Sequence, residues 1–189
     1  GNPVSAREFL LKAKNLSPKE ALYWDELADS TAEMAILLFE DAQGKKAQEF
    51  TEAAIKESEM AISLSPKNVN LRRSQASMFI KLSAIGPNHL LNARKTLIEA
   101  VTLAPTDAHL YYNLGLTEVR LGNIEDAKRI LEHTIDIKEN YRDARLALAL
   151  VLADEGRLEE AREQLIYILD KINPEDVLVQ QQLEELGGR

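Results

Sequence analysis

Residues 108–141 read AHLYYNLGLTEVRLGNIEDAKRILEHTIDIKENY, and the order of large and small residues in this stretch decides the fold. Tyr111 and Leu114-Gly115 fall at helical spacing, Leu121-Gly122-Asn123 makes a break, and a second helix carries Ala127, Leu131 and Thr134 before ending near Ile137. Small residues stand where two helices must cross closely, and Leu121 and Leu131 fill the space around the crossing. The same order returns 34 residues on, from Arg142 to Glu175. Ala149 takes the glycine slot, Gly156 the break, and Ala161, Leu165 and Ile168 the second helix; Asn173-Pro174 closes it one residue later than the period requires. A fixed period of this size predicts stacked helix pairs, because one pair cannot bury its apolar face alone.

Earlier residues keep the second-helix spacing while stretching the period. Pro18 to Pro66 is 48 residues and Pro66 to Pro105 is 39. Ala54, Ser58, Ala61 and Pro66 repeat the series Ala93, Leu97, Ala100 and Pro105, and Ala6, Leu10, Ala13 and Pro18 show it again. The pattern resembles the tetratricopeptide repeat: an aromatic, Leu-Gly, a tyrosine slot, Ala, a large apolar residue and a closing Pro. Glu118 departs from it at the tyrosine slot and Glu139 at the proline. The resemblance implies an all-α, right-handed superhelical solenoid of antiparallel helix pairs running through 1–189. Its expected parts are a half repeat at 4–16, extended repeats at 18–65 and 66–104, regular repeats at 105–138 and 139–172, and a covering helix at 174–186. The chain thus opens inside a repeat, as a piece of something larger is expected to.

Local signals give the expected ends. Ser17-Pro18, Ser65-Pro66 and Asn173-Pro174 read as helix caps followed by a first-turn proline. Gly44, Gly86, Gly122 and Gly156 fall where pairs must turn. In the longest repeat, Ala21 to Ala42 and Lys46 to Leu64 both favour helix, so the extra residues are expected to lengthen an αα-hairpin rather than to form a loop. Met34, Leu37, Leu38 and Phe39 then need cover, from Phe50 and Ala53 or from Ile85, Leu90 and Leu91.

Composition narrows the function. The chain is 45% apolar, 5% aromatic and free of cysteine, which excludes disulfides, thiolate metal sites and a cysteine nucleophile. A net charge of −8 disfavours nonspecific binding to nucleic acid or anionic membrane. No apolar run approaches the ~18–20 residues needed to span a bilayer, so this segment is expected to be soluble and not to insert in a membrane. The compartment stays open, cytoplasmic by default, with tethering to a membrane protein as the alternative. His89, His109 and His133 lack the close pairing of a helical metal site, and His89 and His133 read as surface residues. Carboxylate pairs such as Glu159-Glu160 read as solvated helix faces. There is no Gly-rich phosphate loop and no nucleophile with a base and an orienter, so no catalytic, cofactor or metal site is expected.

The resemblance also implies where a partner would lie, since inner helices in this family line a concave groove that holds peptides or helices. Groove positions by this rule are Leu22, Asp25, Asp29 and Glu33; Asn70, Arg73, Ser77, Ile80 and Lys81; His109, Tyr112, Asn113, Leu116 and Arg120; and Asp143, Leu146, Leu150 and Asp154. The candidate partner set is Arg73, Ser77, Lys81, His109, Tyr112, Asn113, Leu116, Arg120, Leu146 and Leu150. In it Arg73, Lys81 and Arg120 would meet carboxylates, and Tyr112 and Leu116 would anchor an apolar residue. The bland alternative is that these are solvated side chains neutralised by neighbouring Asp and Glu. The carboxylate clamp of chaperone-binding members is matched only by Asn113 and Arg73. Ser77, Asp143 and Ala147 fill its other slots, with an aspartate where a cation is required. The expected function is therefore a protein-interaction scaffold without catalysis, its partner a peptide or helix with an apolar anchor and some acidic character. A second expectation comes from repeat tails of bacterial membrane proteins of cell-surface polysaccharide assembly, such as O-antigen ligases and polymerases, where catalysis lies elsewhere. A third is self-association through the half repeat, whose Phe9 and Leu10 lack a partner helix.

Overall fold

The computed structural model describes residues 3–187, and among these it has ten α-helices and no strand. It divides into two compact units, one reaching Ala104 and the other starting at Pro105. The first contains α1 (Pro3–Leu16), α2 (Ala21–Glu40), α3 (Gly44–Leu64), α4 (Val69–Leu82) and α5 (Asn88–Leu103). The second contains α6 (Ala108–Leu121), α7 (Ile124–Ile137), α8 (Arg142–Asp154), α9 (Leu158–Tyr167) and α10 (Val177–Gly187).

The second helices carry the core of each pair. Ala54-Ser58-Ala61, Ala93-Leu97-Ala100, Ala127-Leu131-Thr134 and Ala161-Leu165-Ile168 are all between 0 and 2% exposed. This spacing of four then three keeps one stripe of the helix facing its partner. In α1 the matching Ala6 is exposed, and Leu10 and Ala13 are half-buried. Its attachment comes instead from Arg7, which donates from Nε to Thr31 Oγ1 (3.0 Å) and lies 5.1 Å over the Phe50 ring.

The extra residues of the long repeat are indeed helical: α2 and α3 run 20 and 21 residues, against 14 each for α6 and α7. Their contact is a seam of small side chains, Ala28, Ala32 and Ala35 against Ala47, Thr51 and Ala54, all buried. The expected cover for Leu37 and Phe39 is absent: both remain exposed on α2, because alanines rather than the large residues face α3.

The helix caps lie elsewhere than the Ser-Pro pairs. Asn68 and Asp107 cap α4 and α6, each accepting from the backbone N–H two residues on at 3.0 Å. Ser17, Ser65 and Asn173 instead start a tight turn, their carbonyls accepting from Glu20, Asn68 and Asp176. The turns inside pairs also correct the glycine reading. Gly122 and Gly156 are left-handed, at φ 78°, but Gly44 is the first residue of α3 and Gly86 is not left-handed. The third left-handed position is Ala42, at φ 58°. All three turns share one hydrogen-bond pattern: Gln43 N to Leu38 O, Asn123 N to Glu118 O, and Arg157 N to Leu152 O, at 2.8–2.9 Å.

The late proline at 174 has a structural cause. Residues Ile168–Ile172 form a π turn continuing α9, and Asn173 N donates to Ile168 O at 2.8 Å. One extra residue is taken up in a wider turn, so Ile168 keeps its core position.

Candidate partner-binding faces

Position four of three repeats shows how side chains are set against the turns. Trp24 Nε1 donates to Pro18 O (2.8 Å), Arg72 Nη2 approaches Pro66 O (3.4 Å), and Arg145 Nε donates to Glu139 O (2.9 Å). Each reaches six residues back, to the position that closes the preceding repeat. Arginine substitutes for the aromatic because it offers both a donor and a flat face; Arg145 stacks on the Tyr167 ring at 3.5 Å. Glu118, in the tyrosine slot, is buried and accepts from Asn123 Nδ2 at 2.7 Å, tying α6 to the first residues of α7.

In the second compact unit, His109, Tyr112, Asn113, Leu116 and Arg120 share one face of α6, as their spacing requires. Asn113 Nδ2 and His109 Nδ1 are 3.2 Å apart, and the His109 and Tyr112 rings are 6.5 Å apart. Tyr112 continues to Tyr141, at 5.2 Å between centroids, and Lys138 Nζ lies 5.0 Å over the Tyr141 ring. Tyr141, the residue before α8, was not expected in this cluster; the sequence signal was an aromatic beside a helix start. Burial pushes its phenol up to about 12, helped by Tyr112, Asp143 and Asp107. Burial and then Asp143 raise Tyr112 as well, against Arg142. On α8, Leu150 is 43% exposed, whereas Leu146 is 9% exposed and belongs to the core with Leu131 and Leu165. Leu146 is therefore a packing residue, not an open contact.

Arg142 fixes the far end of this unit. Its Nε and Nη2 donate to the two carboxylate oxygens of Asp176 at 2.8 and 3.0 Å, and Nη1 donates to Asp143 at 2.9 Å. Asp176 also accepts from Val179 N at the start of α10, and the hydrogen bonds from Arg142 hold its carboxyl below the usual range.

In the first compact unit, Arg73 donates to Asn70 Oδ1 at 3.0 Å and Ser77 is exposed. Lys81 is bound by α2: its Nζ donates to Asp29 (2.7 and 2.9 Å) and to Glu33 (3.3 Å). Burial works against the ammonium, but these bonds outweigh it and raise its pKa. Asp25, one turn before Asp29, is pushed up to about 6 by burial, with Glu26 and Asp29 adding and Ser74 opposing. For Lys81 the bland alternative of internal neutralisation describes the geometry.

His89 is not the plain surface residue expected. It is half-buried, its ring stacks on Phe79 at 6.3 Å between centroids, and burial lowers its pKa. His133 is exposed, edge-on to Tyr111 at 4.7 Å. Among the described residues, no group of three or more His, Asp or Glu is placed to hold a metal ion. Nor is any helix long and apolar enough to cross a membrane.

Known proteins agree with this architecture. Residues 108–141 and 143–165 each match a tetratricopeptide repeat family. The chain is similar to pilF of Pseudomonas aeruginosa, at 20% identity and TM-score 0.70, covering 100% of this chain and 78% of that one. It is also similar to YrrB, a repeat protein of this kind described as having an unusual peptide-binding site. There the identity is 19%, the TM-score 0.61 and the coverage 97% and 84%. A human relative, protein O-mannosyl-transferase TMTC3, is 26% identical over 196 residues, covering 99% of this chain; the chain spans 20% of that protein's length. Residues 108–141 and 143–165 therefore carry tetratricopeptide repeats, and the chain has the fold of tetratricopeptide repeat proteins. This all-α fold is one that supports protein-interaction scaffolds.

Proposed function

We propose that the chain binds a peptide or helix of a partner protein along the inner helices and carries no catalysis of its own. The observation that carries this reading is the cluster on α6 and α8. His109, Tyr112 and Tyr141 form a run of aromatic contacts, with Asn113, for backbone recognition, and Leu116 on the same face of α6 and Leu150 exposed on α8. Rigid aromatic groups of this kind dominate binding energy where they are found at interfaces. In the first compact unit Lys81 is held by Asp29 and Glu33. For acidic character in the partner the candidates are Arg73 in the first unit and Arg120 in the second, and the apolar anchor comes first. A peptide selected from a random display library on the intact chain tests this by calorimetry. Tyr112→Ala with Leu150→Ala is expected to weaken it about tenfold or more, and Arg73→Glu with Arg120→Glu to weaken only acidic peptides. Unchanged affinity in both pairs, with helicity intact, sinks the assignment.

A second reading is favoured by the human relative, an O-mannosyl-transferase by name. On it, the repeats recognise a protein beside a glycan-transferring region elsewhere in a longer polypeptide. Sequencing the gene upstream of the codon for Asn2 decides it: several apolar spans support this reading, and further soluble repeats refute it.

A further inference from the structure

The long helix α2 leaves large apolar side chains uncovered at both of its ends. Leu22 is 54% exposed in its first turn and Leu37 is 44% exposed in its last. Glu26, Asp29, Glu33 and Glu40 follow and separate them at intervals of three or four residues, so all six lie on one stripe. Asp29 is half-buried and the other carboxylates are exposed. The remaining faces of α2 are taken. Ala28, Ala32 and Ala35 lie in the seam with α3, and Thr31 accepts from Arg7 of α1.

Only part of the stripe is bordered by α4. The two helices run in the same sense, since Ser74 bonds Asp25 while Lys81 bonds Asp29 and Glu33. After Lys81, α4 ends at Leu82. Leu37 and Glu40 therefore run on past its end, in the turns that make α2 longer than α6. The charge here is one-sided. With Asp25 at the edge, α2 carries five carboxylates and no lysine, arginine or histidine. Lys81 offsets one of them, and Arg73 of α4 donates to Asn70 on its own helix. Burial pushes Asp25 up to about 6, opposed by Ser74 and helped by Glu26 and Asp29, so the carboxylate field persists beside Lys81.

We propose that this face of α2 binds a basic amphipathic helix of a partner protein. A large apolar residue would sit on Leu22, another on Leu37, and lysine or arginine opposite Glu26, Asp29 and Glu33. Charge complementarity selects that occupant. An uncovered apolar face alone would accept many partners; carboxylates between its leucines reject acidic ones and, by the same repulsion, a second copy of this face. The leucines fix the register of the bound helix, read as anchors along one of its faces. Residues 22 to 37 span roughly 22 Å, so the bound helix needs about four turns. The site belongs to the first compact unit and does not depend on the α6 face.

The test titrates a capped, helical alanine–glutamine peptide into the intact chain. It carries leucines at the spacing of Leu22 and Leu37, with lysines between them at the spacing of Glu26, Asp29 and Glu33. Saturable movement of the Leu22 and Leu37 methyl resonances is expected, with affinity falling as salt rises. Glu26→Lys with Glu33→Lys is expected to weaken binding about tenfold or more. Leu22→Ser with Leu37→Ser is expected to do the same. These positions are exposed, so helical circular dichroism should persist in both pairs. Tyr112→Ala is expected to leave binding unchanged, which separates a failure here from a failure of the α6 assignment. The proposal is overturned by no saturable movement, or by equal binding of a peptide with glutamates in place of the lysines. Affinity indifferent to both variant pairs, or self-association of the free chain that Leu37→Ser abolishes, overturns it as well.

Discussion

Gly115→Ala should destabilise the protein, although alanine is the better helix former. A Cβ at 115 would lie 2.9 Å from both Cγ and Cδ2 of Leu131, and 3.5 Å from Ile130 Cγ2. Contacts at 2.9 Å force a shift, and Cγ is not the loose end of the side chain. Leu131 is fully buried and clusters with Ala144 and Leu148 of α8, so it cannot swing away without disturbing the next repeat. Overpacking of this kind costs about 1–3 kcal/mol. Relief of the glycine's helix penalty returns about 1 kcal/mol, leaving a net loss of about 1 kcal/mol. For a chain of this size that is a fall of roughly 2–4 °C in Tm, measurable by circular dichroism or urea titration. A double-mutant cycle isolates the cause. Leu131→Ala alone should cost about 2–5 kcal/mol, but at least ~1 kcal/mol less in the Gly115→Ala background, where the new methyl enters the vacated space. The mirror change, Ala149→Gly in the next repeat, should also destabilise, since that crossing accommodates a methyl. A rise in stability for Gly115→Ala, or additive effects with Leu131→Ala, would show that the α6–α7 crossing is not controlled by this contact.

Further outcomes follow from single features. Ala42→Gly should stabilise by about 0.5–1 kcal/mol, because Ala42 adopts a left-handed φ of 58° that glycine takes without strain; an unchanged urea midpoint refutes the strain. Asp25 has a folded pKa of about 6 against 3.8 unfolded, so the folded state holds its proton more tightly and stability falls as pH rises between these values. Asp25→Asn should flatten that part of the stability profile and raise stability at pH 7 by about 1 kcal/mol, discounted for a half-exposed carboxyl; a profile parallel to the parent's speaks against it. Asp176 titrates the other way: its contribution is present above the unfolded value and lost as pH falls through its lower folded pKa. Arg142→Ala should cost about 1–3 kcal/mol and loosen α10 first, read as faster amide exchange over 177–187. Phe9 and Leu16 are 70% and 85% exposed on α1, so light scattering should show mass rising with concentration, and Phe9→Ser abolishing the rise; a strict monomer rules out self-association.

The helix pairs were legible because the spacing of alanine, leucine and alanine in a second helix has one simple explanation, a stripe packed against another helix. Turn chemistry was less so. Ser17-Pro18 and Ser65-Pro66 match a cap motif, but the same residues also make the turn that precedes the cap, and only the backbone path distinguishes them. Gly44 looked like the turn of the long hairpin, yet the left-handed position fell on Ala42, where the strain of an alanine is tolerated because Gln43 N still reaches Leu38 O.

The candidate faces divide along the same line between periodic and particular. Periodicity placed Tyr112, Asn113 and Leu116 on one side of α6, a matter of helix geometry alone. It could not tell that Lys81 would be taken by Asp29, 52 residues earlier, or that Leu146 would turn into the core. Nor could it show that Arg72 and Arg145, two departures from an aromatic slot, have opposite consequences. Arginine reads the same in both repeats. What differs is its neighbours on the second helix: Gln164 and Tyr167 satisfy the guanidinium of Arg145, whereas beside Thr96 and Glu99 the buried Nε–H of Arg72 has no acceptor among the described residues. In a repeat protein the consensus positions explain why the pairs stack. A departure acquires meaning only when the residue across the helix crossing departs with it.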